Sequence, residues 1–382
     1  MRFEFATANR ILFGPGVLSE VPALAVSLGK RVFIATDSLE RSAELVNGLQ
    51  HKGLFVEVVI VEGEPDLNCI MMATRKIKET RCNVIIGFGG GSALDTGKAA
   101  AALLTNSRDP LDYLEVIGLG LPLEEPSAPF IAIPTTAGTG SEVTRNAVIT
   151  VPEKRVKVSL RSPSMLPCIA CVDPDLTYSL PPSVTASTGL DALTQVIEPF
   201  VCSSPNPFTD AICREAIARA SKSLRRAWMN GLDASAREDM SLVSLFGGLA
   251  LANAKLGAVH GMANTIGGFS HAPHGVVCAR LLPKVMKMNL QVLRARLPSS
   301  PTIERYTEVA RLLTGDENAS ADAGVDWIQK LVDELKIKAL REYGLNSDDF
   351  PAIVAHSQKA SSMKGNPISL TDAELLSILD EA

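Results

Sequence analysis

No stretch of about twenty consecutive apolar residues occurs in this 382-residue chain, so no segment has the length that spans a bilayer. The longest candidate, residues 241–254, is too short and carries Asn253. The opening MRFEFATANRILFGPG places charges inside its first apolar run, which argues against a secretory signal. A basic stripe is also missing: the net charge is −5 and spread along the chain, so nucleic acid is a poor partner. The seven cysteines are odd in number and follow no framework, which excludes a disulfide scaffold and suits a reducing, cytoplasmic location. Cys168 and Cys171 form a lone CxxC without the second pair of a zinc ribbon, and read as structural.

What is present is a folded, turn-rich composition, 46% hydrophobic with 28 Gly and 23 Pro. The length exceeds one ordinary core and predicts about two domains. Over residues 1–180, β-type runs alternate with helical ones. Arg31–Thr36, Leu54–Val61, Asn83–Gly87 and Phe130–Pro134 read as strands, with helices through about His51, over Ile70–Thr80 and from Ala93 to Leu104. That alternation predicts a parallel sheet covered by helices, whose ligands bind at the strands' carboxyl ends. From the Pro181–Pro182 pair onward helical periodicity takes over, in Pro207–Trp228, Ala234–Lys255, Ile303–Leu313, Ala321–Leu335, Ser347–Lys359 and Thr371–Leu379. The expected architecture is an α/β nucleotide-binding domain over 1–180 and an all-α domain over 181–382.

Histidine is scarce, yet three of the five, His260, His271 and His274, fall within fifteen residues. Their spacings approximate whole helical turns, but Gly267, Gly268 and Pro273 break a continuous helix and place His274 in a turn beyond it. Upstream, Asp191 and Gln195 share one helical face. A carboxylate and two imidazoles would make a three-ligand site with an open position, as catalytic metals require. The plainer account is that these polar residues satisfy helix ends and a core.

Two loops look suited to a dinucleotide. Gly89-Gly90-Gly91-Ser92 follows a strand and opens a helix, an arrangement that aims backbone N–H groups at phosphate. It is neither the usual GxGxxG, because Ser92 takes the last glycine's place, nor a Walker loop, because Ala99 follows Lys98. The loop from Pro134 to Glu142 offers hydroxyls to a pyrophosphate or ribose, or is an ordinary Ser/Thr turn. Asp37, ending a strand, suits a ribose diol and would repel a 2′-phosphate, which favours NAD over NADP. Lys157 could pair with phosphate or sit at an edge.

Taken together, FGPG, VFIATD, GGGSALDTGKA, IPTTAGTGSEVT, VDPDLT, TGLDALTQ and HGMAN…HAPHG resemble, in identity and order, the iron-containing (group III) alcohol dehydrogenases. The resemblance implies a dehydroquinate synthase-like fold, with a divalent metal, Fe²⁺ or Zn²⁺, between a nucleotide domain and a helical domain. It implies NAD contacts from Asp37, Gly90, Gly91, Ser92, Asp95, Thr135, Thr136, Thr139, Ser141 and Lys157. It also implies metal ligands Asp191, His260 and His274, and a homodimer or larger assembly acting on a small alcohol or aldehyde.

Two departures stand out. The family usually has a histidine ligand where this chain has Gln195, and commonly a proton-pathway histidine where it has Asn264. A glutamine carbonyl is a weak ligand, so the metal is expected to be held less tightly or lost. His271 and Asp95 are the candidate catalytic residues, His271 as the titratable group nearest the proton route. The expected reaction is hydride transfer between an alcohol carbon and nicotinamide. The alternatives are a metal-free, maleylacetate reductase-like enzyme acting on an activated ketone or enone, and a non-catalytic nucleotide-binding protein. The lysine- and arginine-rich substrate site of dehydroquinate synthase is not evident.

Overall fold

The computed structural model describes residues 2–115, 117–152 and 156–382. The chain divides into two units. One comprises Ala6–Thr136 and Gly140–Tyr178; the other comprises Ser179–Ala382, Ala137–Thr139 and the N-terminal residues through Phe5.

The first unit carries β1 (Arg10–Phe13), β2 (Arg31–Thr36), β3 (Phe55–Ile60), β4 (Val84–Gly89), β5 (Phe130–Pro134), β6 (Asn146–Val151), β7 (Val156–Arg161) and β8 (Ile169–Val172). Six of them form a sheet in the order β1-β8-β5-β4-β2-β3, parallel at every pairing. Strands buried on both faces read as unbroken apolar runs, which is why β2, β4 and β5 are visible in the sequence. Alternate residues of β2 serve opposite faces. Val32 and Ile34 pack with Leu45 and Leu49 of the helix Leu39–His51. Phe33 and Ala35 pack with Ile77 and Leu94 from the helices Leu67–Thr80 and Gly91–Thr105. Each fully buried aliphatic side chain of this kind contributes about 1.5–3 kcal/mol. Strands β6 and β7 form a separate antiparallel pair. Neither this pair nor β1 was expected from the sequence.

The second unit is helical: Pro182–Val201, Pro207–Met229, Ala234–Asn253, Ala258–Ile266, His274–Arg296, Pro301–Thr314, Ala321–Glu334, Phe350–Ser357 and Asp372–Asp380. Its core is an apolar cluster that includes Leu190, Leu193, Val196, Ile197 and Phe200 of the first of these helices. Two expectations need correction, and one element was missed. The helix expected over Ser347–Lys359 is a 3-10 turn, Ser347–Asp349, followed by a shorter helix with Pro351 in its first turn. His274 does not sit in a turn; it opens the helix His274–Arg296. That helix was not recognised as an element at all, because Pro283 lies inside it and interrupts the pattern. Among the described residues no single helix is long and apolar enough to cross a membrane.

Candidate functional site

The helix Pro182–Val201 is buried along most of its length, and it carries Asp191 inward at 2% exposure. A carboxylate there is costly unless something compensates its charge. Its Oδ1 has no hydrogen-bond partner. Instead His260 Nε2 lies 3.4 Å away and His274 Nε2 3.9 Å away. Cys278 Sγ completes the group, 3.5 Å from His274 Nε2 and 3.9 Å from His260 Nε2. One ligand atom from each of the four lies within 4.8 Å of the others, an arrangement able to hold a metal ion. A tetrahedral ion with bonds of about 2.0–2.3 Å separates its ligands by roughly 3.3–3.8 Å, and the two shorter spacings here, 3.4 and 3.5 Å, fall in that range.

Two features set this geometry. Glu198, two turns after Asp191, accepts from Val259 N–H at 2.7 Å and lies 2.7 Å from His260 Nδ1. The ring N–H is thereby directed to the carboxylate, leaving the Nε2 lone pair for the shared position. Glu198 and Asn366, whose Oδ1 accepts from Ala258 N–H, also satisfy the first donors of the helix Ala258–Ile266. The second feature is Gly275. A Cβ there would lie 2.4 Å from Ser187 O, so only glycine lets the helix His274–Arg296 approach the helix Pro182–Val201 this closely.

Burial opposes charge on both partners. On Asp191 burial is outweighed by His274 and His260, which bring its carboxyl below the usual range. On His260 burial is outweighed by Cys278, Asp191 and Glu198, which raise its proton affinity well above that of an ordinary imidazole. Burial, foremost, pushes the Cys278 thiol up to about 12.

Gln195 lies one turn beyond Asp191. Its Nε2 donates to Gly138 O at 3.2 Å, which leaves Oε1 buried and without a partner. Asn264 is on the helix Ala258–Ile266. His271 is not part of the four-residue group; its side chain is exposed, and its backbone N–H donates to Tyr343 O at 2.9 Å.

In the first unit, β4 runs into Gly89, whose φ of 154° and lack of a Cβ let Asp37 approach; a Cβ would meet Asp37 Oδ2 at 2.9 Å. Gly90 N–H donates to Asp37 Oδ2 at 3.2 Å, and Gly90 caps the helix that Gly91 and Ser92 begin. Arg41, one turn along, pairs with Asp37 at 2.6 Å. Thr135 N–H donates to Gly89 O, while Thr135 Oγ1 is buried without a partner. Thr136 approaches Gly90, whose Cβ would lie 3.6 Å from Thr136 Oγ1. Thr139 belongs to the helical unit, although Thr135, Thr136 and Ser141 do not. Asp95 accepts from Ser141 Oγ at 2.6 Å and from Val148 N–H at 2.8 Å, tying the glycine-turn helix to the hydroxyl loop and β6. Lys157 pairs with Glu64 at 2.5 Å.

Sequence reasoning passed over Glu198, Cys278, Arg41, Lys98 and Glu142. The first four stand a whole number of helical turns, or nearly so, from a residue already singled out: Asp191, His274, Asp37 and Asp95. That spacing was the available signal. Lys98 donates to Ser141 O, Ser141 Oγ, Thr144 Oγ1 and Asn146 O. Burial brings its pKa down to about 8, against the pull of Asp95 and Glu142. Glu142 is buried with both oxygens unpartnered, and burial pushes it up to about 7 from 4.5.

A carboxyl raised on folding contributes stability that is fully present below about pH 4.5 and lost as pH rises through about 7. Lys98 acts in a higher window, where its lowered pKa removes stability as pH falls through about 8. Glu142→Gln is therefore expected to flatten the decline in urea midpoint between pH 5 and pH 8. The gain at the upper end is on the order of 3 kcal/mol. Parallel curves for variant and parent would refute this account.

Two family descriptions match the chain: "Iron-containing alcohol dehydrogenase" over residues 8–174, and "Fe-containing alcohol dehydrogenase family, C-terminal" over residues 185–382. Alcohol dehydrogenase 4 of Schizosaccharomyces pombe is 37% identical over 380 residues, covering 97% of this chain and 87% of that protein. The solved alcohol dehydrogenase from Oenococcus oeni superposes with a TM-score of 0.91 at 34% identity, covering 100% of both chains. Sulfoacetaldehyde reductase from Bifidobacterium kashiwanohense, solved in complex with NAD⁺, superposes with a TM-score of 0.86 at 29% identity, covering 100% of this chain and 98% of that one.

Proposed function

This chain belongs to the iron-containing alcohol dehydrogenase family, and on that premise we propose that it transfers hydride reversibly between NAD(H) and a small alcohol or its carbonyl counterpart, with a divalent metal on Asp191, His260 and His274. The observation that carries the reading is Asp191 Oδ1, a buried carboxylate oxygen with no donor, flanked by two imidazole nitrogens. The Oε1 of Gln195, one turn further along the same helix, is also buried and unpartnered, and as a neutral amide oxygen it would hold a cation more weakly than an imidazole does.

When bound, the metal supplies Lewis acidity toward the substrate oxygen. The chain's own groups do the rest. Asp191 offsets the cation's charge, and Glu198 holds His260 in the tautomer that presents Nε2. Gly90, Gly91 and Ser92 offer N–H groups to the pyrophosphate, with Thr135 and Thr136 alongside and Asp37 on the ribose. Asp95 acts through Ser141 and β6, as a positioning residue. His271, exposed three residues before His274, passes the alcohol proton to solvent. On this assignment His271→Ala slows alcohol oxidation about tenfold or more at neutral pH, and added imidazole restores it. A variant as fast as the parent removes His271 from the route.

The Asp37–Arg41 pair bears on cofactor choice. Asp37→Ser is expected to release Arg41 toward a 2′-phosphate and raise the NADP-to-NAD ratio of kcat/KM by at least about tenfold. An unchanged ratio would place the ribose elsewhere. Self-association as a dimer or larger belongs to the same reading, and mass by light scattering tests it.

The decisive experiment follows NADH consumption with short-chain aldehydes, before and after chelation. Turnover lost on chelation and regained with Fe²⁺ or Zn²⁺ supports the proposal. Turnover indifferent to chelation favours the metal-free reductase, and nucleotide binding without turnover favours a sensor.

A further inference from the structure

We propose that Cys278 is a fourth protein ligand of this metal, so that the site is an Asp-His-His-Cys set selective for Zn²⁺ over Fe²⁺. The inference rests on the metal reading above and deepens it. Cys278 follows His274 by one turn at the start of the helix His274–Arg296, so the two side chains leave the same face. Cys278 is a buried member of the apolar core, but its sulfur also meets polar atoms. It sits 3.5 Å from one imidazole nitrogen and 3.9 Å from another, within the group that includes the unpartnered Asp191 oxygen. A separation of roughly 3.5 Å is the edge of a tetrahedron with metal–nitrogen bonds of about 2.0 Å and a metal–sulfur bond of about 2.3 Å.

The inference also accounts for Gln195. Asp191, Gln195 and His274 are fixed by their helices, and the amide at 195 donates to Gly138 O. A thiolate arriving from the opposite helix restores the strong donor that an amide does not supply. It changes the character of the site as well: carboxylate and imidazole accept iron readily, whereas a thiolate favours zinc. When the metal enters, the Sγ–H bond breaks, the Sγ–metal bond forms and the proton passes to solvent.

The test uses the full-length protein stripped of metal and reloaded. Zinc-edge X-ray absorption of the unmodified chain is expected to show one sulfur neighbour at about 2.3 Å. With Co²⁺, a near-ultraviolet sulfur-to-cobalt band should appear, and Cys278→Ser should abolish it. Under equal supply of both ions, Cys278→Ser should lower the Zn²⁺-to-Fe²⁺ occupancy ratio at least about tenfold, since it removes the one ligand that favours zinc. Metal bound at about one per chain with only nitrogen and oxygen neighbours overturns the role of Cys278 and leaves the metal reading standing. A chain that retains neither zinc, iron nor cobalt overturns both. The absorption measurement needs no variant, so a poorly folding Cys278→Ser does not decide the matter.

Discussion

Alanine at His260 is expected to release the metal and lower kcat/KM for alcohol oxidation by about three orders of magnitude or more. A Lewis acid is worth several kcal/mol at the transition state, and each 1.36 kcal/mol is tenfold in rate. The loss has a second part. Glu198 is buried and divides its oxygens between the His260 ring and Val259 N–H. Without the ring, one oxygen loses its donor, at a cost of about 1–3 kcal/mol in stability. Elemental analysis, steady-state kinetics and NADH fluorescence together separate the contributions. The nucleotide contacts proposed here lie in other elements, so NADH binding should persist while metal and turnover vanish. Turnover within tenfold of the parent would sink metal assistance.

Gly275→Ala should have the next largest effect, without touching any ligand atom. The added methyl would sit 2.4 Å from Ser187 O and 2.7 Å from Ser187 C, both backbone atoms that no rotamer change can move aside. Carbon contacts settle at about 3.5–4.0 Å, so the two helices must part by roughly 1 Å. His274 and Cys278 would be drawn back from Asp191 by a similar amount. A misplacement of that size can cost about a hundredfold in rate. Overpacking adds about 1–3 kcal/mol of destabilisation. Metal affinity by competition with a chromogenic chelator, set beside urea unfolding, tests both parts. Unchanged affinity would mean that the close approach does not set the ligand spacing.

The two predictions mark where the sequence was legible. Central strands and the glycine turn could be read because doubly buried strands are continuous apolar runs and glycine punctuates their ends. Asp191, His260 and His274 were named through resemblance to a family, since their spacing alone left a structural role open. Cys278 and Glu198 were hidden for a different reason. Each has a helical-turn partner, but its significance depends on how closely another helix approaches. That approach is set by a missing Cβ at Gly275 and by two backbone donors at Ala258 and Val259. Nothing in the sequence marks Lys98 and Glu142 as buried; only the fold places them inside.

The four candidate ligand residues come from three separate helices, Pro182–Val201, Ala258–Ile266 and His274–Arg296. An ion at their meeting point binds the folded arrangement and not the unfolded chain, so its free concentration enters the folding equilibrium by mass action. At a hundredfold excess over the dissociation constant it would add about 2.7 kcal/mol, a sizeable part of a typical domain's margin. The steady-state amount of this protein in a cell would then follow metal supply, and scarcity would thin the population of folded molecules as well as silence them.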